Sequence, residues 1–181
     1  ITPAGSVLRL TGDGEGLKDT ALRMHLTGSD PGARGRGVDP LASRSNYFKG
    51  GPENWLSDIP NFGRVRYDRV YDGVDLVYYV KDDHVEFDFL AEPGADISPI
   101  GWTFDGAETV SMGKDGDLVV FAGGHDVVYK KPVAWQDSDD GRQFVEAAFD
   151  LSPDRTVNFA LADYDTALPL TIDPELVYAT Y

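Results

Sequence analysis

Two runs rich in Val, Tyr and Phe, residues 75–80 and 85–90, stand on either side of the polar stretch Lys81-Asp82-Asp83-His84. β-Branched and aromatic residues in short runs around a polar turn make the pattern of a β-hairpin. Loop length decides which residues share a face. A two-residue loop (Asp82, Asp83) or a four-residue loop (Lys81 to His84) sets Val80 opposite Val85, so that Leu76, Tyr78, Val80, Val85, Phe87 and Phe89 form one apolar face. Asp75, Val77, Tyr79, Glu86 and Asp88 then fall on the other. A three-residue loop would mix the two sets, so the first register is preferred, with Tyr78 and Phe87 as buried neighbours.

The flanking sequence repeats the strand pattern with less force. Residues 6–10 alternate, as do Leu22, Met24 and Leu26 with Arg23, His25 and Thr27, which predicts a pair of strands joined by the Gly-rich acidic loop 11–17. Residues 29–45, containing SDPGARGRGVDP, have the Gly and Pro content of a long, weakly ordered loop. Residues 52–58 are the one place suited to a short helical turn, with Pro52 at its first position and Pro60 beyond its end. Trp55 within it is expected to cap the core in preference to standing exposed for a ligand. After the hairpin, Asp105-Gly106, Lys114-Asp115-Gly116, Gly123-Gly124 and Asp140-Gly141 separate short apolar runs. Such steps supply turns, and turns this frequent predict an all-β fold, an antiparallel β-sandwich or a partly open barrel of short hairpins. Val145, Ala147 and Phe149 with Val157, Phe159 and Leu161 predict a further hairpin. Residues 168–172 and 176–181 close the chain, the last as a strand of the sheet rather than a tether. No fixed period links these units, which argues against a solenoid or propeller within this chain.

Composition narrows the possibilities. With 181 residues and 41% hydrophobic content the chain is expected to be a single domain, residues 1–181, with 1–45 as peripheral strands and loop. A formal net charge of -15 repels nucleic acid and anionic membrane surfaces, so neither is an expected partner. There is no cysteine, hence no disulfide and no thiolate metal site. No apolar run approaches the ~20 residues of a membrane span, and no signal-type segment opens the chain. Beginning at Ile1, it reads as a portion of something longer.

Asn46-Tyr47-Phe48 with Gly50 and Trp55, VRYDRVYDGVDLVYY (65–79), VEFDFLAEPGAD (85–96), Gly116-Asp117-Leu118, KPVAWQ (131–136) and YDTALPLTIDPELVYATY (164–181) together carry a resemblance. Over residues 46–181 the chain resembles a domain of unknown function from large bacterial surface or secreted proteins, where it precedes arrays of predicted β-propeller (SBBP-type) repeats. The resemblance implies a secreted or cell-surface accessory module, lacking its first strands here, with adjacent propeller-type domains as partners. The family carries no assigned activity, so no catalytic residue comes with it.

The candidate chemistry rests on residue types. Asp75, Glu86 and Asp88 on one strand face could hold a hard cation such as Ca²⁺ through carboxylate oxygens, or act as an acid pair at a glycosidic bond. Arg64, Arg66 and Arg69 on the preceding run offer ordinary ion pairs instead, and that reading comes first. Asp137, Asp139 and Asp140 lack the spacing of a calcium loop and read as a solvated turn. His25, His84 and His125 show no metal-ligand spacing. Aromatics could form a platform for sugar rings, with Tyr47, Trp55 and Tyr79 as the ligand candidates beside Tyr71, Trp102 and Trp135, although most alternate as core positions do. The expectation is a non-catalytic structural or adhesive module of a large exported protein. A carbohydrate-binding module and an acid-pair glycoside hydrolase are the alternatives, with polysaccharide, another protein or a weak homodimer through an open edge strand as possible partners.

Overall fold

The computed structural model describes residues 1–12, 16–81 and 84–179; residues 13–15, Asp82, Asp83, Thr180 and Tyr181 lie outside them, and with them the expected Asp82-Asp83 loop. The strands run β1 (Gly5–Leu10), β2 (Thr20–Leu26), β3 (Gly35–Tyr47), β4 (Leu56–Tyr71), β5 (Val74–Lys81), β6 (His84–Ala91), β7 (Gly101–Asp105) and β8 (Thr109–Met112). They continue with β9 (Leu118–Ala122), β10 (His125–Tyr129), β11 (Val133–Ser138), β12 (Gly141–Val145), β13 (Ala147–Leu151), β14 (Val157–Leu161), β15 (Leu170–Asp173) and β16 (Leu176–Ala179). The fold is all-β. Three antiparallel sheets, none closed into a barrel, have the strand orders β1, β2, β7, β14, β13; β16, β10, β9, β8; and β12, β11, β15, β6, β5, β4, β3.

The central hairpin has the register that alternation predicts. Val80 lies opposite Val85, Tyr78 opposite Phe87 and Val77 opposite Asp88, with Lys81 opposite His84 as the last pair. Its apolar face is where the sheets meet. Phe89 stacks on Trp102 of β7 at 6.5 Å between ring centroids, and Phe87 meets Tyr129 of β10 at 6.4 Å. One cluster therefore draws on all three sheets, with Leu76, Tyr78, Phe87, Phe89, Trp102, Val120, Val127, Val157 and Ile172 all buried. The same face runs out of cover toward the hairpin tip, where Val80 and Val85, expected in the core, are exposed.

The β1–β2 pair and the β13–β14 hairpin, with Phe149 opposite Phe159, form as expected. Val145 does not join the latter: the chain changes sheets at Glu146, so Val145 ends β12 opposite Ala134 while Ala147 starts β13. β16 pairs with β10, so the C-terminal segment is a sheet strand.

The largest departure from the expected picture is the segment 29–45. Rather than a weakly ordered loop, most of it is β3, which pairs with the 16-residue β4. Pro40 is accommodated because β3 is an edge strand and needs no ladder bond on its outer side. Gly35 and Gly37 are required by neighbouring rings: a Cβ would come within 2.8 Å of the Tyr67 ring at the first and 2.3 Å of the Phe62 ring at the second. The helical turn shrinks to a 3-10 segment, Pro52–Asn54, and β4 begins at Leu56, running through Pro60.

β4 divides into two halves. From Arg64 onward it pairs with β5 as well as β3, whereas residues 56–63 pair with β3 alone. Eight residues at ~3.3 Å each make a two-stranded arm extending roughly 25 Å past its last pairing with β5. Nearly every residue from 39 to 63 is exposed.

Candidate functional site

Two places gather the residues that could carry function: the second face of the central hairpin and the end of the arm. On the hairpin, the acids Asp75, Glu86 and Asp88 share a face as alternation requires, but they are not a wet surface; their exposures are 4%, 3% and 8%. A buried carboxylate needs compensating donors. Asp75 receives the Arg66 guanidinium and, at 2.6 Å, the backbone N–H of Arg69. That amide is turned inward by the register shift between Tyr67 and Tyr71, where Arg69 adopts a positive φ of 55°. Glu86 Oε2 accepts the backbone N–H of Leu176, the first residue of β16, at 2.8 Å. Asp88 Oδ1 accepts the Tyr79 hydroxyl at 3.0 Å.

Asp173, which alternation on the hairpin could not reveal, belongs to the same group. It ends β15, the strand beside β6, and its buried Oδ1 accepts no hydrogen bond. Burial, and then the neighbouring Asp173 charge, push the Asp88 carboxyl up to about 6. Burial likewise raises Glu86 and Asp173, and burial with the Asp88 charge raises the Tyr79 hydroxyl. Lys81 closes the outside by binding Glu175 at 3.0 Å. Chemically the group can hold a proton near pH 6 and tie the start of β16 to the central sheet.

Among the described residues, no group of three or more His, Asp or Glu is arranged to hold a metal ion. Asp75 is engaged by Arg66, as the sequence-level ion-pair reading expects. Asp137 forms a two-point pair with Arg142 at 2.9 and 3.0 Å in the expected turn, His25 Nε2 lies 3.0 Å from Asp105, and His125 Nε2 lies 3.3 Å from the Lys18 carbonyl. A cavity of about 500 Å³ between Arg69 and Pro99, and one of about 200 Å³ beside β1 and β2, include none of Asp75, Glu86 or Asp88.

The ligand candidates separate. Tyr47 and Trp55 meet at the arm tip with Phe48 and Leu56; Tyr47 lies opposite Leu56, and Phe48 sets its ring edge-on to Trp55 at 5.1 Å. Exposures of 58% for Tyr47, 63% for Phe48 and 48% for Trp55 replace the expected core role of Trp55. Its indole N–H donates to the Gly50 carbonyl at 3.4 Å. Tyr79 sits instead in the body opposite Arg64, whose guanidinium lies 5.3 Å from its ring centroid. Trp135 is half-buried with Arg142 over its ring at 4.6 Å, while Tyr71 and Trp102 are buried.

The sequence that forms these three open sheets has a counterpart at the level of family. The model of a family described as a domain of unknown function (DUF7948) matches residues 5–175. The chain belongs to this family. No curated protein and no solved structure gives a match. The match begins within β1, so strands β1 to β3 are part of the DUF7948 domain, and the arm with them. Phe48, Leu56 and Asp173 are the residues that sequence reasoning passed over; the apolar pair Trp55-Leu56 next to Asn46-Tyr47-Phe48 was the available signal for the tip.

Proposed function

We propose that this DUF7948 domain is a non-catalytic structural and binding module of a large exported bacterial surface protein, and that its β3–β4 arm is the element that meets the neighbouring module. The observation that carries this reading is the apolar tip. Tyr47, Phe48, Trp55 and Leu56 are exposed on a ribbon that contributes nothing to the core, and clustered exposed aromatics fit an interaction site better than a solvated turn. The propeller-type repeats implied by the family resemblance are the expected neighbour, and the secreted or cell-surface setting follows from the same resemblance.

A carbohydrate-binding role draws on the same tip and would use the face of Trp55. It has less support elsewhere, because Tyr79 and Trp135 have arginines over their rings. The acid-pair hydrolase draws on the raised Asp88 carboxyl, yet Glu86 is tied to Leu176 and Asp88 to Tyr79. A Ca²⁺ role for Asp75, Glu86 and Asp88 would require Asp75 to leave Arg66.

Amide exchange on this domain alone, compared with a longer chain carrying the next module, tests the proposal. The expected result, at a concentration low enough to keep both chains monomeric, is new protection within residues 41–60. Identical exchange of those residues in both would overturn it, and protection produced by oligosaccharide in the isolated domain would favour the carbohydrate reading.

A further inference from the structure

The tip is one of two uncovered apolar patches on the arm. The other lies at its base, where Ile1, Phe62, Val65, Tyr78, Val80 and Val85 line a shallow cavity of about 140 Å³. Val80 and Val85 share the parity of Tyr78 and Phe87, so this shelf is the core-facing side of the seven-stranded sheet, continued past the point where the other sheets cover it. Val80 is 67% exposed, Ile1 51% and Phe62 41%. Leaving such a surface in water is unfavourable by ~25 cal/mol per Å².

We infer that the domain self-associates through this arm, two copies lying antiparallel along their β3–β4 ribbons so that the tip of each covers the shelf of the other. The inference rests on the reading of the arm as a contact element. Its geometric basis is symmetry: tip and shelf are separated along β4 by the run from Leu56 to Phe62, about 20 Å at 3.3 Å per residue. A two-fold axis through the middle of the arm repeats that separation in the opposite direction, so both tips meet both shelves with no further adjustment. A single copy cannot make this contact, because about 20 Å of extended ribbon separates its own tip from its own shelf.

Charge and edge chemistry refine the arrangement. Copies with a net charge of -15 repel, but residues 34–71 hold seven of the 16 Lys and Arg and only four of the 31 Asp and Glu, so the repulsion is least along the arm. Strand addition along β3 is disfavoured. Pro40 offers no N–H, Asp39 has a positive φ of 56°, and the ladder is irregular between Pro40 and Arg44 and again between Ser45 and Tyr47. Contact is therefore made by side chains rather than by a continuous sheet. With contact confined to the side chains of tip and shelf and the copies both acidic, the dimer is weak and is strengthened by salt that screens the repulsion.

Sedimentation velocity over a concentration series of the whole chain tests this. The expected wild-type result is a reversible monomer–dimer equilibrium that tightens with added salt. Trp55→Ser at the tip and Val80→Lys at the shelf should each weaken it about tenfold or more. Mixing the two variants in equal amounts should recover part of the association, because a mixed pair keeps one intact tip-on-shelf contact and neither variant alone keeps any. Phe48→Ser and Val85→Lys serve as a second pair if either first variant is misfolded by circular dichroism. A wild-type chain that stays monomeric at millimolar concentration, or a mixture no tighter than its components, overturns the inference. A monomeric chain whose arm is still protected by the next module would leave the proposed function standing.

Discussion

β4 is one strand with two fates. Its second half, from Arg64, lies between β3 and β5 and leads into Val70 and Tyr71, both buried; its first half, residues 56–63, pairs only with β3 and is almost wholly exposed. The two halves share backbone geometry and hydrogen-bonding partner, so ladder bonds alone do not separate them. What separates them is the third strand and the sheet beneath it. The body half is held by burial, and the arm half by a single neighbour and by ion pairs such as Arg44 with Asp58 and Arg64 with Asp39 at 3.7 and 3.1 Å. Exposed pairs of that kind contribute about 0–1 kcal/mol each. Stability therefore resides in the body, and the arm is free to be shaped by contact.

The sharpest way to break that comparison is to remove a ring from the body. Phe87 packs against Tyr78, Phe89 and Tyr129 where all three sheets meet. Phe87→Ala should cost about 3–5 kcal/mol, read as a lower denaturant midpoint at unchanged slope. Deleting residues 175–181 should have the next largest effect, about 2–4 kcal/mol, since it removes the buried Leu176 and leaves Glu86 without its backbone donor. An unchanged melting temperature in that truncation would mean that β16 is a tether.

The acid group gives a pH signature to the body alone. Burial raises the folded Asp88 carboxyl to about 6 from its ordinary value of 3.8, so the folded state holds the proton more tightly than the unfolded state. The stability contributed by this carboxyl is then greatest below about 4, falls as the pH rises from about 4 to 6, and stays at the lower level above that. Asp88→Asn should remove the loss and raise stability by about 2 kcal/mol at pH 7.5, with little change at pH 4. A variant equally stabilised at both pH values would show that Asp88 is not the titrating group.

These differences also explain what could be read from the sequence. The central register was legible because Leu76, Tyr78, Phe87 and Phe89 alternate against Asp75, Val77, Glu86 and Asp88, and a one-residue slip would exchange the two sets. The arm was illegible for the converse reason: a strand with no buried face has no period of two, and residues 35–47 show Gly, Ser, Arg, Asp, Asn and Pro around scattered apolar residues. Local turn chemistry suggested a loop, and pairing with β4 overrode it. Burial of the acids was hidden because it depends on donors elsewhere. Arg66 is nine residues from Asp75 and was anticipated, whereas Leu176 is 90 residues from Glu86 and Asp173 shares no local pattern with Asp88.

Smaller effects belong to the arm. Trp55→Ala should shift stability by no more than about 0.5 kcal/mol, as expected for an exposed side chain away from the core. Millimolar Ca²⁺ compared with chelator at equal ionic strength should leave the melting temperature unchanged while Asp75 stays bound to Arg66. A clear rise with Ca²⁺ would reopen the cation reading of Asp75, Glu86 and Asp88.

The division between a self-sufficient body and a contact arm is tested most directly by shortening the arm. Residues 42–60 can be replaced by Asn-Gly, a dipeptide suited to a two-residue hairpin turn, and the denaturant midpoint measured for the shortened and full-length chains. The midpoints should differ by less than about 1 kcal/mol of stability, together with loss of self-association. A loss comparable with that of Phe87→Ala would contradict it, by showing that the arm holds the fold together.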